Sequence, residues 1–88
     1  MKIFLNLHVK NQLIQSEFEV FIQHSTPLRV VIRKIAKLIK IRLMPILNRN
    51  YETISLLVNG DRVDWISEKS LMVNNEDELH LISQIIGG

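Results

Sequence analysis

The apolar positions change period along the chain, and each change marks an element. Ile3, Leu5, Leu7 and Val9 alternate with Lys2, Phe4, Asn6, His8 and Lys10, the two-residue period of a half-buried strand. Phe18, Val20 and Ile22 repeat it against Glu17, Glu19, Phe21 and Gln23, which predicts a second strand joined to the first by a polar turn around Asn11-Gln12. Ser25-Thr26-Pro27 then offers a capping hydroxyl and a proline suited to a first helical turn, where a missing N–H costs nothing. On a 3.6-residue wheel Leu28, Val31, Ile32, Ile35, Leu38 and Ile39 share one face, while Arg29, Arg33, Lys37 and Lys40 gather opposite. An amphipathic helix laid on a flat partner is expected. Met44-Pro45 is expected to end it, because the residue before proline disfavours the helical region. Pro45 to Glu52 then reads as a connection.

Beyond it, Thr53 to Val58 is β-branched and aliphatic and runs into Asn59-Gly60, a tight-turn pair, so a third strand and a hairpin follow. Asp61 to Trp65 returns as a short fourth strand. Ser67 to Asn75 is irregular, with Leu71-Met72-Val73 touching the core, and Asn74 to Asp77 makes the last turn. Leu79 and Leu81 open a fifth strand that leads toward Gly87-Gly88. The order is β-β-α-β-β-β, an α+β chain in which one helix has one sheet to cover. There are no internal repeats or interdomain linkers, and residues 1–84 are expected to form the domain, with 85–88 a flexible tail.

The alternation also fixes a second face. If Ile3, Leu5, Leu7, Phe18, Val20, Ile22, Ile54, Leu56, Val58, Leu79 and Leu81 meet the helix, then Phe4, Phe21, Leu57 and Ile82 point the other way. A single helix cannot cover both sides, and adjacent exposed apolar residues suggest a docking surface. The alternative is that the segment from Met44 to Glu52, or the region of Trp65, folds over them.

Composition narrows the chemistry. At 88 residues the chain is one domain. No apolar run approaches the roughly 20 residues that span a bilayer, and the first ten residues read as a strand rather than a signal peptide. A soluble, cytoplasmic protein with no membrane partner is expected. The absence of cysteine removes disulfides, thiolate metal ligands and a cysteine nucleophile, and fits a reducing compartment. The formal charge of +2 hides a division: residues 1–50 carry nine of the eleven Lys/Arg, and residues 51–88 carry seven of the nine acids. The basic residues sit mainly on one helix with no aromatic among them, which argues against nucleic acid. That face, extended by Lys34 and Arg42, reads as solvated surface or as a surface for an acidic partner or anionic precursor. His8, His24 and His80 lack metal-ligand spacing, although His8 and His80 become neighbours if the first and last strands pair. No metal site is expected. Neither a G-x-S-x-G turn nor a phosphate-cradling glycine loop is present, so no catalytic constellation emerges.

A Gly-Gly end gives a fold nothing, since glycine is the costliest residue to order. It suits a carboxylate that must be threaded thin and extended into another enzyme's site and attacked there. Ile85 and Ile86 then become grip points in a partner's groove. With Val58-Asn59-Gly60, Asp77-Glu78-Leu79 and Gly87-Gly88 in this order, nearly the whole chain resembles the β-grasp (ubiquitin-like) sulfur carriers, most closely the molybdopterin-synthase small-subunit and thiamine sulfur-carrier group (MoaD/ThiS). Its Ser83-Gln84-Ile85-Ile86 stands where molybdopterin subunits commonly carry proline.

The resemblance implies a mixed sheet with the helix packed on one face. It also implies a non-enzymatic co-substrate that binds no cofactor itself. Gly88 would be adenylated by an E1-like activating enzyme that uses ATP and magnesium, then converted to a thiocarboxylate. That group would donate sulfur to an acceptor such as a molybdopterin synthase large subunit, or in thiamine synthesis or tRNA thiolation. Two alternatives remain at this stage: a ubiquitin-like protein modifier, and an interaction module that binds through Phe4, Phe21, Leu57 and Ile82 and is never activated.

Overall fold

A computed structural model describes residues 1–9 and 11–83. The side chain of Val9 lies outside the described part, as do residues 84–88 and hence the expectations for Ile85, Ile86, Gly87 and Gly88. In chain order the elements are β1 (Lys2–Val9), β2 (Gln12–Glu19), β3 (Thr26–Pro27), α1 (Leu28–Ile39), α2 (Leu43–Arg49), β4 (Ile54–Val58), β5 (Asp61–Val63), α3 (Trp65–Glu68), β6 (Met72–Val73) and β7 (Glu78–Ser83). Among the described residues, five strands form one mixed sheet in the order β2-β1-β7-β4-β5. β1 and β7 run parallel, and the other neighbours run antiparallel. β3 and β6 form a separate two-stranded ladder.

Period-two alternation does what it predicts on this sheet. Ile3, Leu5 and Leu7 of β1, Ile54 and Leu56 of β4, and Leu79 and Leu81 of β7 are all buried, in one cluster with Leu28, Val31, Ile32 and Ile35 of α1. Burying each such side chain contributes about 1.5–3 kcal/mol. Val20 and Ile22 are buried as expected, and Phe18 and Val58 pack half-buried against the same cluster. The Asn59-Gly60 turn takes positive φ at both residues, 53° and 86°, the primed hairpin geometry that this pair favours.

Seven expectations are corrected. The second strand lies earlier than the Phe18-to-Ile22 alternation suggests: β2 pairs with β1 from Val9↔Gln12 to Lys2↔Glu19. Asn11, at φ 62°, turns the chain, and Gln12 already belongs to the strand. No hydroxyl caps α1; its N-cap is Pro27. Ser25 Oγ donates to Asn74 and Thr26 Oγ1 to the carbonyl of His24. The helix's first amides are instead satisfied across space, Leu28 N–H donating to Leu71 O and Arg29 N–H to Lys69 O, which answers the need of unpaired N-terminal donors.

α1 also stops sooner, at Ile39, where Lys40 adopts the left-handed conformation (φ 59°) and donates its N–H to Ala36 O. Leu38, expected in the core, is 61% exposed. What reads as a connection after Pro45 is the helix α2. Pro45 is its third residue, where the backbone N–H would have no intrahelical partner anyway. Leu43 and Leu47, one turn apart and both buried, supply the burial that outweighs the pre-proline preference at Met44. Finally, Trp65 opens α3 rather than closing a strand, with Asp64 capping it by accepting from Ile66 N–H. Of Leu71, Met72 and Val73, only Val73 is buried.

Candidate functional site

The two sides of the sheet differ in cover. Strand register sets Glu17, Phe4, His80, Leu57 and Arg62 in one row across the side away from α1, with Gln15, Asn6, Ile82 and Ser55 in the next row. At the centre the rings of Phe4 and His80 stack, with centroids 4.4 Å apart and planes inclined by 13°. His80 Nε2 stands 3.7 Å from a carboxylate oxygen of Glu78, two residues earlier on the same face. Phe4, Asn6, Gln15, Glu17, His80 and Ile82 line a shallow cavity of about 440 Å³ here. Its centre is apolar and aromatic and its margin is charged, an apolar core inside a polar rim.

The structure thus brings Phe4, Leu57 and Ile82 together, all half-buried. Phe21 stands apart: it is 71% exposed, follows the end of β2, and lies between Val20 and Ile22, which turn inward. The covering segments considered from sequence do not lie on this face. Leu43, Leu47 and Trp65 enter the core cluster on the helix side, where Trp65 Nε1 donates to Asn48 Oδ1 at 2.8 Å.

His8 and His80 are not neighbours, although β1 and β7 do pair. His80 is opposite Phe4, whereas His8 lies further along β1 and its backbone N–H donates to Ser83 Oγ. Sequence reasoning passed over His80 as a member of the patch. The signal was its position two residues before Ile82, on the same strand face.

The helical side is basic. Arg29 donates to Ser70 Oγ at 2.9 Å. Arg33, Lys34, Lys37, Lys40 and Arg42 are exposed, and among the described residues no carboxylate approaches any of them within 4 Å. No group of three His, Asp or Glu side chains among the described residues is arranged to hold a metal ion, and no helix is long and apolar enough to cross a membrane. No protein-family model matches the chain, and no curated protein matches it. The class that the architecture defines is therefore a small α+β protein whose mixed five-stranded sheet carries helices on one side and a half-apolar patch on the other.

Proposed function

We propose that the protein is a β-grasp sulfur carrier of the MoaD/ThiS type. Its Gly88 carboxylate is adenylated by an E1-like enzyme using ATP and magnesium and converted to a thiocarboxylate, which then passes sulfur to an acceptor enzyme. Molybdopterin synthesis is the favoured destination, ahead of thiamine synthesis and tRNA thiolation. One observation carries the reading. β7 is held on both sides, by β1 and β4, and places His80 and Ile82 in the patch with Phe4 and Leu57. The recognition patch and the root of residues 84–88 therefore share one strand, so a partner seated on the patch is already aligned with the chain that follows Ser83. Docking supplies affinity and orientation, and the terminal glycines supply the reacting carboxylate.

The test is intact mass spectrometry after incubation with ATP, magnesium, a persulfide donor, a thiol reductant that cleaves the resulting acyl disulfide to the thiocarboxylate, and an activating enzyme from the same source, beside a Gly88-deleted control. A gain equal to exchange of one oxygen for sulfur, absent from the control, is expected. Unchanged mass, with the activating enzyme competent on its own carrier, overturns the proposal. The patch around Phe4 and His80 then favours the second reading, an interaction module without terminal chemistry. Gly88 recovered in isopeptide linkage to a lysine of another protein would assign the same activation to protein modification.

A further inference from the structure

On the helical side of the sheet, β2 and α2 frame an open groove of about 370 Å³. Apolar Ile14, Pro45 and Ile46 line it together with polar Gln12, Arg42, Arg49 and Asn50. Arg42 immediately precedes α2 and Arg49 ends it, so a rise of 1.5 Å per residue sets them about 10 Å apart along the helix axis. Among the described residues neither guanidinium has a carboxylate within 4 Å. Two unneutralised guanidinium groups thus share the groove with apolar residues.

The strand beside this groove is an open edge. Met1 and Val20 exchange both backbone bonds at 2.8 Å, Val20 N–H donating to Met1 O and the Met1 amine to Val20 O. The register then runs unbroken to Val9↔Gln12. Antiparallel pairs alternate between hydrogen-bonded and non-bonded. Ile14, Ser16 and Phe18 therefore direct their peptide groups toward β1, whereas Leu13, Gln15, Glu17 and Glu19 direct theirs outward. β2 is the outermost strand of its sheet on that side, eight residues long with no proline and no bulge. Its only charged guards, Glu17 and Glu19, sit at the end away from the groove.

We propose that this edge takes up, as an added strand, an extended peptide segment of a partner protein in which two acidic residues flank an apolar one at alternate positions. Alternate side chains of such a strand face the helical layer. The apolar residue then covers Ile14, Pro45 and Ile46, and the carboxylates, about 13 Å apart along the strand, meet Arg42 and Arg49. Guanidinium forks match carboxylates in two-pronged hydrogen bonds. Arginines spaced along an apolar groove suit an elongated ligand with separated charges better than one compact phosphate. The groove lies across the sheet from the Phe4–His80 patch, the strand edge it borders is shared with Gln15 and Glu17 of that patch, and binding there is independent of chemistry at Gly88.

The probe is acetyl-Thr-Glu-Thr-Ile-Thr-Glu-Thr-amide, titrated into the full ¹⁵N-labelled chain to about 10 mM, enough to read weak binding by nuclear magnetic resonance. Saturable shifts are expected at the amides of Leu13, Gln15 and Glu17 and at the side-chain Nε of Arg42 and Arg49. Arg42→Gln and Arg49→Gln should each weaken binding about fivefold, and replacing both probe glutamates by glutamine about tenfold or more. N-methylation of the probe amides that would pair with the edge should abolish binding. The two peptide controls use the unaltered protein, so they decide the matter even if an arginine variant folds poorly. Equal affinity for the glutamine peptide overturns the proposal, as do shifts centred on Phe4 and His80 or no saturable shift. Inorganic pyrophosphate moving the arginine signals when the peptide does not would assign a small-anion site instead.

Discussion

Asn59 and Asp77 are eighteen residues apart in sequence and joined side chain to side chain, Asn59 Nδ2 donating to Asp77 Oδ1 at 2.8 Å. Asn59 also donates its backbone N–H to Glu78 O and accepts from Glu78 N–H on Oδ1, while Asp77 Oδ2 accepts from Asn74 N–H. The β4–β5 hairpin is thereby fastened to the turn that launches β7. Because Asn59 is left-handed as well as bonded, Asn59→Ala should cost about 2 kcal/mol, combining lost hydrogen bonds with backbone strain. Asn59→Gly removes the same side chain but relieves φ, and should cost about 1 kcal/mol less than the alanine variant. Urea unfolding of both variants separates the two contributions; equal losses would mean that the conformation carries no strain.

The apolar stripe of α1 divides sharply in energy. Ile35 is fully buried, and Ile35→Ala should destabilise by about 2–5 kcal/mol through lost transfer energy and a residual cavity. Leu38, three residues on, should tolerate alanine within about 0.5 kcal/mol. A loss above about 2 kcal/mol at Leu38, measured in the same denaturant series, would contradict its exposed placement.

Lys40 supplies the left-handed residue at which α1 ends, a conformation costly to any residue with a Cβ. Lys40→Gly should therefore stabilise the protein by about 0.5–1 kcal/mol despite the added freedom of the unfolded chain. A lowered melting temperature would show that the lysine side chain contributes more than its backbone costs.

Phe4 and Phe21 should behave differently although both are aromatic and grouped by alternation. Phe4→Asp breaks the stack on His80 at the centre of the patch, and should weaken the complex with an activating enzyme or acceptor at least tenfold. Its far-ultraviolet circular dichroism should stay native. Phe21→Asp lies outside the cluster and should change affinity less than threefold. Affinities from biolayer interferometry on the two variants decide this; equal losses would extend the interface past the end of β2.

Strand content was legible because burial on one face writes a period of two directly into β1, β4 and β7. The helical side was harder to read for local reasons. Met44-Pro45 carries a stop signal that fails where proline falls in a first turn and two leucines four apart reach the core. Leu38 lies on the apolar stripe by angle alone, roughly 80° from Leu28, but in the last turn of a helix that ends one residue later. The start of α1 gives no local sign that its donors are met by carbonyls of Lys69 and Leu71, because that contact spans some forty residues. For the patch, alternation grouped Phe4, Phe21, Leu57 and Ile82, and only Phe21 falls outside, because β2 ends at Glu19 before reaching it. The partnership of Phe4 with His80 depends on the parallel register between the first and last strands, which no local pattern encodes.

That register also governs how the protein is made. β1–β2 and β4–β5 are each local hairpins, available as soon as they are synthesised, yet they do not touch in the sheet until β7 slides between β1 and β4. Before residues 78–83 are in place the two hairpins share no neighbour, and a lone two-stranded hairpin is at best marginally stable in water. The β1–β7 pairing joins residues some 76 positions apart, and such long-range contacts slow folding relative to local ones. Until that pairing forms, the unpaired flanks of β1 and β4 are the surfaces a chaperone must guard.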